Sequence, residues 1–307
     1  VKSSVQRIVA VDWSGDRSVA GQRKKIWAGV WTRDRKGGVH GGSIGLENGR
    51  TRAELTQRLI EMARETPRMV VGVDFCFSYP AWFLRELGIG SAPEFWDLVA
   101  ETHGERWLDP GCDDTRFWGR RGPLRDGKTP AEFCGENRHR MFRRADAACK
   151  IRSEILSQVD AAKVKGIAPK SPFQIGGAGA VGTGSLRGIP VLRDLRDAGF
   201  SIWPFDRMKM PLVAEIYPRL LTGEVKKSSA AGRADYLDRR ATDKAYRGLT
   251  AGVAAKARDS EDAFDALVSA IAMARHRADF LTLRKANDEI TLLEGAVWGA
   301  GAKIERI

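Results

Sequence analysis

Four aspartates sit where acids are costly. Asp12 ends the apolar run Arg7–Trp13, and Asp74 ends the apolar run Met69–Phe75. A carboxylate beside a buried strand must be paired, hydrogen-bonded or bound to metal. Asp262 and Asp265 lie three apart near the start of the amphipathic stretch Glu261–Phe280, hence on one helical face. Three or four carboxylates brought together repel one another unless divalent cations neutralise them, and an oxygen-only ligand set favours Mg²⁺ or Mn²⁺. Two such ions about 3.5–4 Å apart activate a water and stabilise the leaving oxygen of a phosphodiester. Each acid also has a plainer reading. Asp12 before Ser14-Gly15 suits a turn, and Asp262 suits a helix N-terminus. Two strand-end acids together with an Asp-x-x-Asp helix are less readily explained that way.

The elements that would position them are legible. Arg7–Trp13 reads as a buried strand, Lys25–Trp31 as a second and Gly38–Ile44 as a weak third, joined by short loops into a meander. Leu55, Leu59, Ile60 and Met62 mark a helix over Thr51–Glu65 that stops before Pro67. Met69–Phe75 then reads as a central strand covered on both faces. This order suggests a mixed α/β sheet whose first and fourth strands are adjacent, with Asp12 and Asp74 at one edge. Farther on, Leu186–Ala198 reads as a helix. Phe200–Phe205 and Leu212–Tyr217 read as strands, and Gly223–Ser260 as a basic, Ala-rich helical stretch.

In this order, Val11-Asp-Trp-Ser-Gly15, Gly72-Val-Asp-Phe75, Ala214-Glu-Ile-Tyr-Pro218 and Glu261-Asp-Ala-Phe-Asp-Ala-Leu267 resemble the family known as domain of unknown function 429. That family is regarded as a predicted nuclease of ribonuclease H-like fold. The last motif is also similar to the closing helix of the Holliday-junction resolvase branch. The resemblance implies one ribonuclease H-like domain over residues 1–307: a five-stranded mixed sheet of order 3-2-1-4-5, flanked by helices. It implies that Asp12 takes the first-strand acid, Asp74 the fourth-strand acid, and Asp262 and Asp265 the helix pair. The fourth-strand acid is often Glu in the resolvases, and Asp74 is one methylene shorter. Glu215, after Leu212-Val-Ala214, is a further candidate as ligand, general base or substrate clamp, or else as a structural acid paired with Arg219.

The segment Lys170–Ser185 reads as a glycine loop. Gly176, Gly177, Gly179 and Gly182 let backbone N–H groups approach an anion, Thr183 and Ser185 add hydroxyls, and a helix follows at Leu186. A substrate phosphate is the expected ligand, with a purely structural loop as the alternative. Gly177-x-Gly179-x-x-Gly182 also matches a dinucleotide fingerprint, but Pro169 and Pro172 disrupt the strand that should precede it. Residues 81–160 read as an Arg- and Trp-rich helical insertion. Trp82, Trp96, Trp107 and Trp118 either stack nucleotides or form a small core. Cys112, Cys134, His139 and Cys149 lack the Cys-x-x-Cys spacing of a zinc knuckle. Ser14 and Cys76 have no His partner that would make either a nucleophile.

Composition bounds the function classes. The chain has 307 residues, net charge +12 and 43% hydrophobic residues. It affords a core, lacks any run long enough to span a membrane, and suits a polyanionic partner, DNA or RNA. The charge is not uniform. Residues 71–100 hold one basic against four acidic side chains, and residues 260–307 six against eight; these segments carry Asp74, Asp262 and Asp265. Val1–Gln6 lacks a signal peptide's apolar core, and four cysteines make no disulfide framework, so a cytoplasmic setting is expected. The expected activity is Mg²⁺- or Mn²⁺-dependent phosphodiester hydrolysis that leaves a 5′-phosphate and a 3′-hydroxyl. The alternatives are a non-catalytic nucleic-acid-binding module and a nucleotide-binding enzyme that uses the glycine loop. The residues set no oligomeric state, and the resemblance allows a homodimer.

Overall fold

Arg7–Asp12 (β1) buries its four central residues, as a branched apolar run between polar ends should. It lies in the middle of a mixed seven-stranded sheet in the computed structural model. The structure describes residues 4–34, 41–110, 112, 114, 116–118, 141–150, 169–177, 180–223 and 225–299. β1 pairs antiparallel with Trp27–Arg33 (β2), and β2 pairs antiparallel with Gly42–Glu47 (β3). The meander is as expected, but its first connection is not a plain loop. Val19–Lys25 forms a helix (α1) capped by the Ser18 hydroxyl. Its only buried residue is Gln22, so no apolar period announces it. Gly38–His40, the start of the expected third strand, lies outside the described residues.

Arg52–Glu65 (α2) begins in a capping box, with Thr51 and Glu54 satisfying each other's backbone N–H. Met69–Val73 (β4) is buried throughout and parallel to β1. Ser201–Trp203 (β5) and Leu212–Ile216 (β6) follow much later, and Val297–Trp298 (β7) pairs with the end of β6. The order is β3-β2-β1-β4-β6-β5, with β7 beside β6. This corrects the five-stranded 3-2-1-4-5 expectation. The place beside β4 belongs to the sixth strand, and the fifth goes to the edge. Five fully buried residues suit β6 to the covered interior, whereas the three residues of β5 make a short edge.

Helices flank the sheet. Ala81–Glu86 (α3), Ala92–Leu98 (α4) and Gly104–Trp107 (α5) begin the insertion. Val181–Asp197 (α6), Pro218–Thr222 (α7), Ala230–Arg239 (α8), Ala251–Asp259 (α9), Glu261–Arg275 (α10) and Glu289–Glu294 (α11) follow. Farther along the expected helical insertion, residues 144–150 are helical, and those from 151 to 168 lie outside the described residues, as do 119–140 with Cys134 and His139. None of the described helices is long and apolar enough to cross a membrane.

The two faces of the sheet have separate cores. Val9, Val11, Val71, Val73 and Val213 point to the α2 and α6 side, while Ile8, Ala10, Val70, Ala214 and Ile216 point to the α10 side. Trp96, Trp107 and Trp118 are buried in the first core with Phe83, Phe95, Phe117 and Phe173. Half-buried Trp82 stacks on Phe173 at 5.7 Å. For Trp96, Trp107 and Trp118 the reading as nucleotide-stacking platforms is therefore corrected, because buried rings that fill the space under a sheet present no face to a base. Nor are they a small core of their own; they continue the core of the sheet.

Helix α10 lies unusually close to β2. A Cβ added at Gly29 would stand 2.3 Å from the Ala266 carbonyl oxygen and 2.9 Å from Ala270 Cβ. Gly29→Ala is expected to lower stability by about 1–3 kcal/mol, the range for overpacking a tight core. A urea denaturation midpoint measures this, and a midpoint unchanged from wild type would contradict the close approach.

Candidate metal centre

Register decides which acids meet. Val11 pairs with Val73 in the parallel β1–β4 ladder, so the next residues, Asp12 at the end of β1 and Asp74 just past β4, come to one edge. The Asp74 N–H donates to the Val11 carbonyl at 3.2 Å. Side chains alternate along a strand, and Ala10 and Val70 face α10, so Asp12 and Asp74 face α10 as well. The Ser260 hydroxyl caps α10 by accepting from the Ala263 N–H, which starts the helix where Asp262 and Asp265 turn toward the sheet edge. The four aspartates repel as neighbours. Burial first, then Asp265, Asp74 and Asp262, hold Asp12 well above the usual carboxylate range. Burial and Asp265 push Asp74 to about 7, and burial raises Asp265 to about 6 despite a nearby lysine. Asp262 is also raised, by burial and then by Glu261.

Sequence reasoning missed that lysine. The Lys227 ammonium binds Asp265 Oδ2 and lies 3.6 Å from Glu261 Oε1. Its own pKa, which burial would lower, is raised by Asp265 and then by Asp12 and Asp74. Nothing local marks Lys227 among the many basic residues of 223–260, and the contact spans 38 positions.

Carboxylate oxygens are the donor type that a hard divalent cation takes. Asp265 is 3% exposed, and its Oδ1 has no hydrogen-bond partner. Among the described residues, the Asp12 and Asp74 carboxylates accept no hydrogen bond and form no ion pair. As the side chains stand, no three His, Cys, Asp or Glu of the described residues close around one point.

The cluster leaves a signature in metal-free buffer. An Asp74 that protonates at about 7 when folded, against 3.8 when unfolded, gives the folded chain an extra proton between those values. The stability tied to that proton is fully present below the unfolded value and is lost as pH rises through about 7. Asp16 and Glu54, held near 2 chiefly by their Lys25 and Arg23 hydrogen bonds, act oppositely and only at lower pH. The melting temperature in EDTA is therefore expected to fall from pH 5 to pH 8. A rise over that interval would contradict the crowding of the acids.

Glu215 does not join the four. It pairs with Val73 in register and so points to the opposite face of the sheet from Asp74. There Arg143, 1% exposed, binds it through both terminal nitrogens at 2.6 and 2.9 Å, and the Phe77 N–H donates to it at 3.0 Å. Arg143 also donates to both oxygens of Asp146 and to the Glu294 carbonyl, which employs all five of its N–H groups. The partner is thus Arg143 rather than Arg219, which donates to the Val225 carbonyl. Even so, burial comes first among the influences on Glu215, and its pKa is raised.

The glycine segment differs from its expected loop. Helix α6 starts at Val181, not Leu186, so Gly182, Thr183 and Ser185 lie in its first turns. Thr183 donates to the Ile175 carbonyl at 2.7 Å. Ser185, fully buried, donates to the Val181 carbonyl and accepts from the Cys76 N–H at 3.0 Å. The Gly182 N–H donates to the Gln174 carbonyl. These groups bind the chain to itself. Gly176 and Gly177 are described, Gly177 with φ +84°, and Gly179 lies outside the described residues. The segment instead abuts the turn after Asp12, because a Cβ on Gly15 would lie 2.7 Å from the Gly184 nitrogen. Arg52 donates to the Ser14 and Asp16 carbonyls at 3.0 and 2.8 Å, and Arg187 donates to that of Gly15. Together these contacts hold the turn that follows Asp12.

No family model, curated protein or solved structure matches the chain.

Proposed function

We propose that the protein is a metal-dependent nuclease of ribonuclease H-like architecture. The single observation that carries this reading is the convergence of Asp12, Asp74, Asp262 and Asp265 from two parallel strand ends and one helix onto one edge. Asp12, Asp74 and Asp265, with Asp262 beside them, would hold Mg²⁺ or Mn²⁺. When bound, such an ion supplies a water nucleophile at neutral pH and neutralises charge on the phosphodiester.

The rest is the work of the chain. Arg52 and Arg187 fix the turn after Asp12, the Ser260 cap fixes the start of α10, and the close Gly29 contact fixes its height above the sheet. The basic excess elsewhere in the chain suits a nucleic-acid backbone as substrate.

The test is a panel of single-stranded, duplex and branched DNA and RNA, incubated with Mg²⁺, Mn²⁺ or EDTA. Cleavage in metal but not in EDTA is expected, with 5′-phosphate ends. Saturable binding in EDTA without cleavage in either metal would replace the reading with that of a binding module.

A further inference from the structure

Lys227 sits on the acidic cluster without a role in the proposed reaction. Its backbone is anchored. The Ser229 N–H donates to the Lys226 carbonyl at 3.0 Å, and Arg233 donates to the Lys227 carbonyl. The same Arg233 guanidinium donates to the carbonyls of Arg258 and Asp259 at the end of α9, one residue before the cap of α10. The anchor therefore aims the lysine at the first turns of α10. The side chain is 27% exposed and hangs on a flexible four-carbon stem, so it has a path outward. The Glu261 side chain, 41% exposed against 4% for that of Asp265, is already 3.6 Å from the ammonium.

Two other basic groups near the cluster are engaged elsewhere. Lys25 is bonded to Asp16, and Arg233 to the carbonyls above. Asp265 Oδ1 remains buried without a partner, so the lysine neutralises the site only in part.

We propose that Lys227 is an exchangeable counter-cation: its ammonium holds Asp265 in the metal-free protein and moves out to Glu261 when a divalent cation takes the carboxylates. This rests on the metal-centre reading above. A single positive charge leaves four crowded acids underneutralised, whereas a divalent ion with several oxygen ligands suits them better. Glu261 gives the displaced ammonium a partner and so lowers the cost of the exchange.

The experiment is calorimetric titration of the full chain with Mn²⁺ and Mg²⁺, alongside melting in EDTA and in each metal. Lys227→Met is expected to bind metal about fivefold or more tighter than wild type, the low end of the coupling by which one bound group changes the affinity for another. It should also melt lower in EDTA and show a larger metal-dependent rise. Equal or weaker binding by this variant, with wild type binding normally, overturns the exchange and leaves the metal centre standing. Failure of both proteins to bind metal at millimolar concentrations overturns the metal centre itself.

If Lys227→Met does not fold without metal, Glu261→Gln serves, since its side chain is partly exposed. It is expected to weaken metal binding, and Lys227→Met refolded in Mn²⁺ should abolish that effect. An effect that persists in the double variant means that Glu261 acts only as a nearby charge, and it overturns the proposal.

Discussion

Asp12→Asn is expected to eliminate Mg²⁺-dependent cleavage while raising the melting temperature in EDTA. The two effects share one cause. Asp12 is crowded by Asp265, Asp74 and Asp262 and, among the described residues, has no hydrogen-bond partner to lose. The amide keeps the shape and removes a charge that the folded state holds at a cost. The same charge is what a divalent ion would need. Changes to residues that merely orient a ligand cost about 10–100-fold, so loss of a direct ligand should exceed about 100-fold. Cleavage rates with and without Mg²⁺, together with melting curves in EDTA, check both halves. Undiminished cleavage by the variant would remove Asp12 from the site. A lower melting temperature would mean that the carboxylate is satisfied in the fold.

Arg143→Met is expected to destabilise the protein by about 3–5 kcal/mol, the range for breaking a buried ion pair from one side. Its guanidinium joins the insertion to the end of β6 through Glu215, to Asp146 and to the Glu294 carbonyl. Removing it leaves Glu215 and Asp146 buried and unpaired. Adding Glu215→Gln should restore part of the loss, because the stranded charge goes too, and a urea double-mutant cycle measures this coupling. Glu215→Gln alone should leave Mg²⁺ affinity close to that of wild type, since its side chain lies on the far face of the sheet from α10. A loss of less than about 1 kcal/mol in Arg143→Met, the level of an exposed pair, would mean that this network is not buried as described.

The contrast between Asp74 and Glu215 shows how far the residues alone reach. Both are acids at the C-terminal ends of apolar runs, and as text they are equivalent. Alternation along a strand separates them, but only once the partner register is known. With Val73 opposite Glu215, the two side chains must leave opposite faces. Arg143 and Lys227 were illegible for a related reason. Each meets its acid across 72 or 38 positions, and nothing in the local pattern distinguishes it from neighbouring basic residues. The glycine segment is a second case: its composition suggests a loop, whereas α6 starts inside it. There the missing side chains serve close packing, and a Cβ on Gly182 would stand 2.2 Å from the Pro172 carbonyl.

The sequence by itself determined the elements around the four aspartates. The alternation and length of its apolar runs specify β1, β4, β6 and α10, and those patterns are local physics of period 2 and period 3.6. It also determined that Asp12 and Asp74 end strands and that Asp262 and Asp265 share a helical face. Only the tertiary structure decided which strand lies beside β4, which face each acid takes, and which cation answers it. Those outcomes depend on ladder register and on contacts between residues far apart in the chain, and no local spacing records them.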